Sequence, residues 1–390
     1  MFTTSTSELE TLGAAITTQE IKQQPKLWED TYAIYTNNRD KIDAFISSAR
    51  ELGGNRRTRV VFTGAGTSQY VGDTITPYLR RFGETNTFEF ASVATTDIVS
   101  DPFGSLDADD PTVLVSFARS GNSPESMAAV QVARSLVKDL LLVNITCAPE
   151  GRLAVESQGK TDTLTLLIPG ANDQGFAMTG SFSCMALLAT LVFDTSSHEQ
   201  KAAWVMDAAT LGREVISREH EIAAWLEADF ERITYLGSGP FSGLAREAQL
   251  KVLELAAGKN PTSFDSSMGY RHGPKSFVDA QTLVFDFVAN DPYTRQYDVD
   301  ILNEIAGDDI AALTIGIQQE GEGVFEGTSF TLPVNGSPLP AAYLALPFIV
   351  VAQTVALLNS VRVGNTPDTP SPSGTVNRVV KGVTIHPFEV

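Results

Sequence analysis

Cysteine is nearly absent from this chain, with Cys147 and Cys184 its two examples. Two isolated cysteines exclude a disulfide framework and a zinc site, and they point to a reducing cytoplasm. Histidine is almost as scarce, at four residues. No cluster of His, Cys and Asp has metal-ligand spacing, so no metal and no cofactor is expected. Basic residues are outnumbered: 28 Lys and Arg against 47 Asp and Glu give a formal net charge of -19. With no Lys/Arg-rich run, nucleic acid and anionic membrane are excluded as partners, whereas a small anionic ligand needs only a local site. The opening residues Met1-Phe2-Thr3-Thr4-Ser5 lack the basic and apolar regions of a signal peptide. Long apolar runs amount to two, 176–193 and 341–358. The first is interspersed with Ser, Thr and Gly, and the second contains Pro347 and Gln353. Both read as buried helices of an α/β core or a subunit interface rather than as membrane spans.

What the chain does have is a repeated α/β pattern. Its 390 residues leave room for two domains. Residues 1–50 read as helical, with an interruption at Pro25 and a stop at Gly53-Gly54. The β-branched run 58–63 reads as a buried strand, followed by Gly64-Ala65-Gly66-Thr67-Ser68 and a helix over 69–82. Strand, Gly-rich turn and helix present backbone N–H groups to an anion. The turn lacks the third glycine of a dinucleotide fingerprint, and no ribose-binding acid follows. The pattern therefore predicts a phosphate site rather than an NAD site. Further strands are expected at 89–93, 112–117, 140–146 and 164–168. After 112–117 comes Ala118-Arg119-Ser120-Gly121-Asn122-Ser123-Pro124, dense in hydroxyls with one cation. Such a loop cradles a phosphate or sugar. The plainer alternative is a Ser/Thr turn that caps the next helix.

A long helix is expected over 197–226, and then the pattern restarts. Residues 232–236 form a strand, and Gly237 and Gly239 repeat Gly64 and Gly66 at a constant offset. Strands at 282–288, 310–317 and 328–332 complete a second copy. Within it, Glu247, Lys251 and Glu254 share one helix face. Gly258 is expected to close that helix, and a short loop leads to Gly269-Tyr270-Arg271-His272-Gly273. Carboxylates near a Gly-flanked histidine suit proton transfer on a small polar substrate. A solvated charged face with a loop histidine is the bland alternative.

The duplicated Gly-x-Gly turns, the 119–123 loop and the 269–275 loop together resemble the sugar isomerase (SIS) family. Within it the chain is similar to the tagatose-6-phosphate ketose/aldose isomerase group, also described as galactosamine-6-phosphate deaminases. The resemblance runs over nearly the whole chain and includes 18–25, 120–126, 269–276, 291–297 and 373–388. It implies an α/β fold of two tandem flavodoxin-like SIS domains, with parallel sheets flanked by helices. An N-terminal helical segment would span 1–50, the domains 51–200 and 215–365, and a tail closing over the active site 366–390. Similarity to the isomerase half of glucosamine-6-phosphate synthase implies roles. Thr67, Ser68, Ser120 and Ser123 would hold the sugar phosphate, with Gly66, Arg119, Asn122, Glu247, Lys251 and Arg271 in support. The synthase has Ser and Gln where this chain has Ala118 and Arg119. Glu254 matches a proton-shuttling Glu, His272 a ring-opening His, and Lys381 an imine-forming Lys.

The implied reaction converts galactosamine 6-phosphate to tagatose 6-phosphate and ammonia in amino-sugar catabolism. The alternatives are tagatose-6-phosphate isomerisation without deamination, a glucosamine-6-phosphate-type deaminase, and a non-catalytic sugar-phosphate sensor. A sensor of this fold usually carries a basic DNA-binding domain, which this acidic chain lacks. A glutamine-dependent synthase is disfavoured because Met1-Phe2 supplies no N-terminal Cys nucleophile. A phosphorylated sugar is the expected partner, in a homodimer or larger assembly.

Overall fold

The computed structural model describes residues 1–371, 373–380 and 382–389, so Lys381 lies outside the described residues. Two compact units emerge, and they interleave along the chain. One comprises Leu27–Asp173, Gly180–Lys201 and Val376–Val390; the other comprises Met1–Lys26, Gln174–Thr179 and Ala202–Thr375. The ranges expected from the sequence are contiguous, whereas these units exchange their end segments. The N-terminal helical region divides beside Pro25, where the Ala15–Lys22 helix gives way to Gln24–Asn37. Beyond the break, Trp28 is buried and its indole N–H donates to Ser183 Oγ at 2.9 Å. Before it, Asp368 accepts from the backbone N–H groups of Ile16 and Thr17 at 3.0 and 2.8 Å.

The first unit is built on strands β1 Thr58–Thr63, β2 Phe88–Ser92, β3 Thr112–Ala118, β4 Leu140–Thr146 and β5 Thr163–Leu167. They form a parallel sheet in the order β2-β1-β3-β4-β5. Helices cover both faces, which is why β1, β3 and β4 read as continuous apolar runs rather than alternating ones. Val61, Leu114 and Leu142 pack with Ala129, Val132 and Leu136 of the Pro124–Leu136 helix. Phe62 faces the other way, stacked on Phe117 at 5.9 Å and edge-on to Phe193 at 5.6 Å. Phe193 ends the Gly180–Phe193 helix, whose every residue is buried.

The second unit carries β6 Arg232–Gly237, β7 Thr262–Asp265, β8 Thr282–Phe287, β9 Leu313–Gln319 and β10 Ser329–Leu332. Its sheet is also parallel, in the order β10-β9-β8-β6-β7. Read from β7, that is the same winding as the first sheet. Each sheet reverses direction once, between β1 and β3 or between β6 and β8, and ligands of open α/β sheets bind outside the strand ends at such a point. An aromatic stack fills the core: Tyr235 lies 4.9 Å from Phe285, and Phe348 lies 5.3 Å from Phe241 and 5.9 Å from Phe287. Phe348 belongs to the 22-residue helix Ala341–Arg362, long and apolar enough to cross a membrane but largely buried inside the protein. Its Gln353 is satisfied internally, accepting from Gln24 Nε2 at 2.6 Å.

Some boundaries differ from those expected. The helical run after Pro25 divides at Asn38, whose amide donates to Ile34 O at 2.9 Å and closes the preceding helix. The run expected over 197–226 breaks at Arg218 into His198–Ser217 and Glu219–Trp225. The helix expected to end at Gly258 ends at Leu255, and both Ala257 and Gly258 have positive φ. β7 falls in a stretch expected to be loop. Its Thr-Ser-Phe-Asp sequence has little strand propensity, and its pairing with β6 supplies the register.

Candidate active site

In the first unit the loop after β1 leads straight into the Thr67–Phe82 helix, with Gly66 as its N-cap at φ 56° and ψ −129°. A side chain at Gly64 would place Cβ 2.4 Å from the carbonyl carbon of Ser68, so close packing forbids one. The two glycines thereby set the buried residues Thr67 and Ser68 on the first turn of a 16-residue helix. That turn carries the partial positive charge and N–H groups that favour an anion.

The loop after β3 is tightly bonded. Ser123 caps the Pro124–Leu136 helix, its Oγ accepting from Ser126 N–H at 3.2 Å. Asn122 Oδ1 accepts from Arg152 N–H at 3.0 Å, and Ser120 Oγ accepts from Asn122 N–H at 3.3 Å. Gly121, at φ 63°, makes the turn possible. The capping alternative is thus realised for Ser123, whose hydroxyl also lies 2.7 Å from Ser126 Oγ. Arg119 is buried, and its Nη2 donates to the carbonyl of Arg378 at 2.7 Å. Arg378 Nε in turn donates to Asp173 O at 3.1 Å. Arg119, expected to support a phosphate, thus also bonds the 376–390 segment.

In the second unit the Pro240–Leu255 helix buries Glu247 and Lys251 completely and leaves the Glu254 side chain 25% exposed. Lys251 Nζ lies 3.3 Å from Glu247 Oε1 and 2.5 Å from Glu254 Oε2. Burial opposes the Lys251 charge, but the two carboxylates outweigh it and hold the ammonium above its ordinary range. The helix face is therefore a buried ion triad rather than a solvated surface, with Glu254 its accessible end.

His272 sits between two 3-10 turns, Gly269–Arg271 and Pro274–Phe277, and is exposed. No hydrogen bond joins its imidazole to Glu254 among the described residues. Arg271 Nε lies 2.6 Å from Glu304 Oε2. Lys275 reaches Glu304 at 2.5 Å and Asp308 at 2.6 Å. These pairs anchor the loop to the Pro292–Asp308 helix, and hydrogen bonds from Lys275 and Arg271 hold Glu304 below the usual carboxylate range.

Sequence reasoning overlooked a buried acid pair, Asp286 and Asp298. Both are fully buried. Burial and then the neighbouring Asp298 push the Asp286 carboxyl well above its ordinary range, and burial raises Asp298. The available signal was an aspartate inside the apolar run of β8. The two cysteines are buried and unpaired, and burial pushes the Cys184 thiol up to about 12.

A SIS-domain family model matches residues 55–193. D-galactosamine-6-phosphate deaminase AgaS of Escherichia coli is 40% identical over 96% of this chain and 96% of its own length. The chain belongs to the AgaS family of SIS-domain proteins. The Shewanella sp. (strain ANA-3) AgaS deaminase is 38% identical over 98% of this chain and 95% of its own. Among solved structures, tagatose-6-phosphate ketose/aldose isomerase from Escherichia coli superposes with a TM-score of 0.87 and 35% identity, covering 99% of each chain. The AgaS likeness thus spans both sheets, including the second-unit helix and loop beyond the SIS model's reach.

Proposed function

We propose that this chain converts galactosamine 6-phosphate and water to tagatose 6-phosphate and ammonia. The observation that supports the reading is the near full-length likeness to AgaS deaminases, beside the buried Glu247–Lys251–Glu254 triad of this chain. Thr67, Ser68, Ser120 and Ser123 take the phosphate, with Gly66 and Asn122 shaping their loops. Helix-terminal N–H groups and hydroxyls are suited to that charge. His272 assists ring opening, a role that fits histidine's titration near neutrality. Glu254 removes the C2 proton of the open aldose, which is returned at C1. Carbon 2 is then an imine; water adds to it, the C–N bond breaks, and ammonia leaves behind a ketone. Lys251 fixes the Glu254 carboxylate, and Glu247 balances the buried ammonium. Lys381 supplies a cation to the developing enolate, or an imine-forming amine.

The assay is ammonia release from galactosamine 6-phosphate and glucosamine 6-phosphate, alongside aldose–ketose interconversion of tagatose 6-phosphate. Ammonia from the galacto substrate supports the proposal. Interconversion without ammonia would replace it with the isomerase reading, which the likeness to the Escherichia coli isomerase favours. A homodimer or larger assembly in the cytoplasm completes the proposal, with sedimentation velocity as the test of assembly.

A further inference from the structure

The crevice at the reversal point of the second sheet contains a buried carboxyl group of its own. Asp298, on the Pro292–Asp308 helix, is fully buried. Its Oδ1 accepts from Ser238 Oγ at 2.5 Å and from Ser267 Oγ at 2.6 Å, and its Oδ2 accepts from Ala289 N–H at 2.9 Å. Ser238 lies in the loop after β6, Ser267 in the loop after β7, and Ala289 in the loop after β8. Three loops from the same end of one sheet thus meet on one carboxylate. The first unit has Thr67-Ser68 directly after its second turn glycine, Gly66. The second has Pro240-Phe241 after Gly239. Pro240 has no N–H to offer an external anion, and Phe241 is buried in the aromatic stack.

We propose that Asp298 is a positioning residue: its carboxylate gathers the loops after β6, β7 and β8 and so fixes the segment that presents His272. Ser267 is the direct link. Two residues later Gly269 opens the turn that leads to His272, and Tyr270 is buried against Leu236, Val284, Ile301 and Ile305. Asp286 Oδ1 lies 3.3 Å from Ser267 Oγ. The Ser267 hydroxyl has one proton, which it gives to Asp298 at the shorter distance. The same hydroxyl thus lies between both carboxyl groups and ties the pair to the loop after β7. Removing the Asp298 carboxylate leaves the buried Ala289 N–H without that acceptor and releases Ser238 and Ser267 from their shared partner.

The role of His272 is that of the proposed function, so the test separates the two. Full-length Asp298→Ala, Asp298→Asn and Ser267→Ala proteins are compared with the parent by hydrogen exchange and by kinetics on galactosamine 6-phosphate. Asp298→Ala should speed exchange in 237–239, 266–276 and 288–291 and leave 64–68 unchanged. It should lower kcat by about a hundredfold while KM stays within about threefold, the split expected when transition-state positioning alone is lost. Asp298→Asn keeps an acceptor for Ala289 N–H and should recover about tenfold of that loss. Ser267→Ala should loosen 266–276 alone and lower kcat by about tenfold; it decides the matter if Asp298→Ala does not fold. Unchanged exchange at 266–276, or kcat and KM falling together, would overturn the proposal. If the parent releases no ammonia from any amino-sugar phosphate, the functional reading fails and the exchange result alone judges Asp298.

Discussion

Replacing Lys251 by Met tests whether the buried triad is a structural commitment of the fold. The substitution keeps the aliphatic stem and removes the ammonium, leaving Glu247 fully buried beside Glu254 with its cation gone. At an effective dielectric of about 20, the attractions at 3.3 and 2.5 Å are roughly 5 and 7 kcal/mol before desolvation. Taking the ammonium out of water offsets several kcal/mol of that, so the net loss expected on breaking a buried pair is about 3–5 kcal/mol. For a unit of this size that corresponds to a fall in Tm of about 10 °C. Scanning calorimetry on the full chain measures it. Adding Glu247→Gln removes the buried charge that Lys251 balanced and should restore about 2 kcal/mol. A loss below about 1 kcal/mol for Lys251→Met, or no recovery in the double variant, would refute the claim that these charges depend on one another.

Four further outcomes are expected. Glu254→Gln should lower kcat by at least about a hundredfold and leave phosphosugar affinity within about threefold by calorimetry; turnover within tenfold of the parent would remove Glu254 as the base. Gly64→Ala should destabilise more than Gly66→Ala. The first forces a Cβ to within 2.4 Å of Ser68 backbone, and the second meets open space and adds only positive-φ strain of about 1–3 kcal/mol; equal losses by denaturant unfolding would contradict the packing. Arg119→Ala should speed tryptic cleavage after Arg378 by about tenfold, the loss of one charge-assisted hydrogen bond; an unchanged rate would deny the tail contact. Stability should fall as pH rises from about 4, where an unfolded aspartate loses its proton, toward the raised native value of Asp286. Over that window the native state binds more protons than the unfolded chain, so the slope of stability with pH is negative for this group. Asp298, Ser267 and Arg271 are the groups facing it. Unfolding midpoints of Asp286→Asn at pH 5 and pH 8 should show the smaller fall, and a steeper one would contradict the assignment.

Parallel sheets covered on both faces write themselves as apolar runs, so β1 and β4 could be read from residues 58–63 and 140–146. Strand order could not, because it depends on which helix crosses which face. β7 was illegible for a different reason: four residues with a single large apolar side chain carry no period. Within the candidate site, the i, i+4 and i+7 spacing of Glu247, Lys251 and Glu254 showed a shared face but not its burial. Whether such a face is wet or buried depends on what packs against it. Arg119 illustrates the limit from the other side, since its partner carbonyl, Arg378, lies 259 residues away. Asp298 gathers donors from three loops, and no local pattern encodes that convergence.

The interleaving of the two units also bears on how the chain is made. The unit whose strands emerge first from the ribosome also includes Val376–Val390, which follow the whole of the second sheet in the chain. Phe388 packs against that unit's Phe103 and its Val61–Leu142 core cluster. At roughly 5–20 residues per second, the first sheet waits tens of seconds for its final segment, while the second is translated in full. The sheet translated first therefore gains its 376–390 segment only after the second sheet has been made, and truncation before Val376 leaves the earlier sheet without that cover.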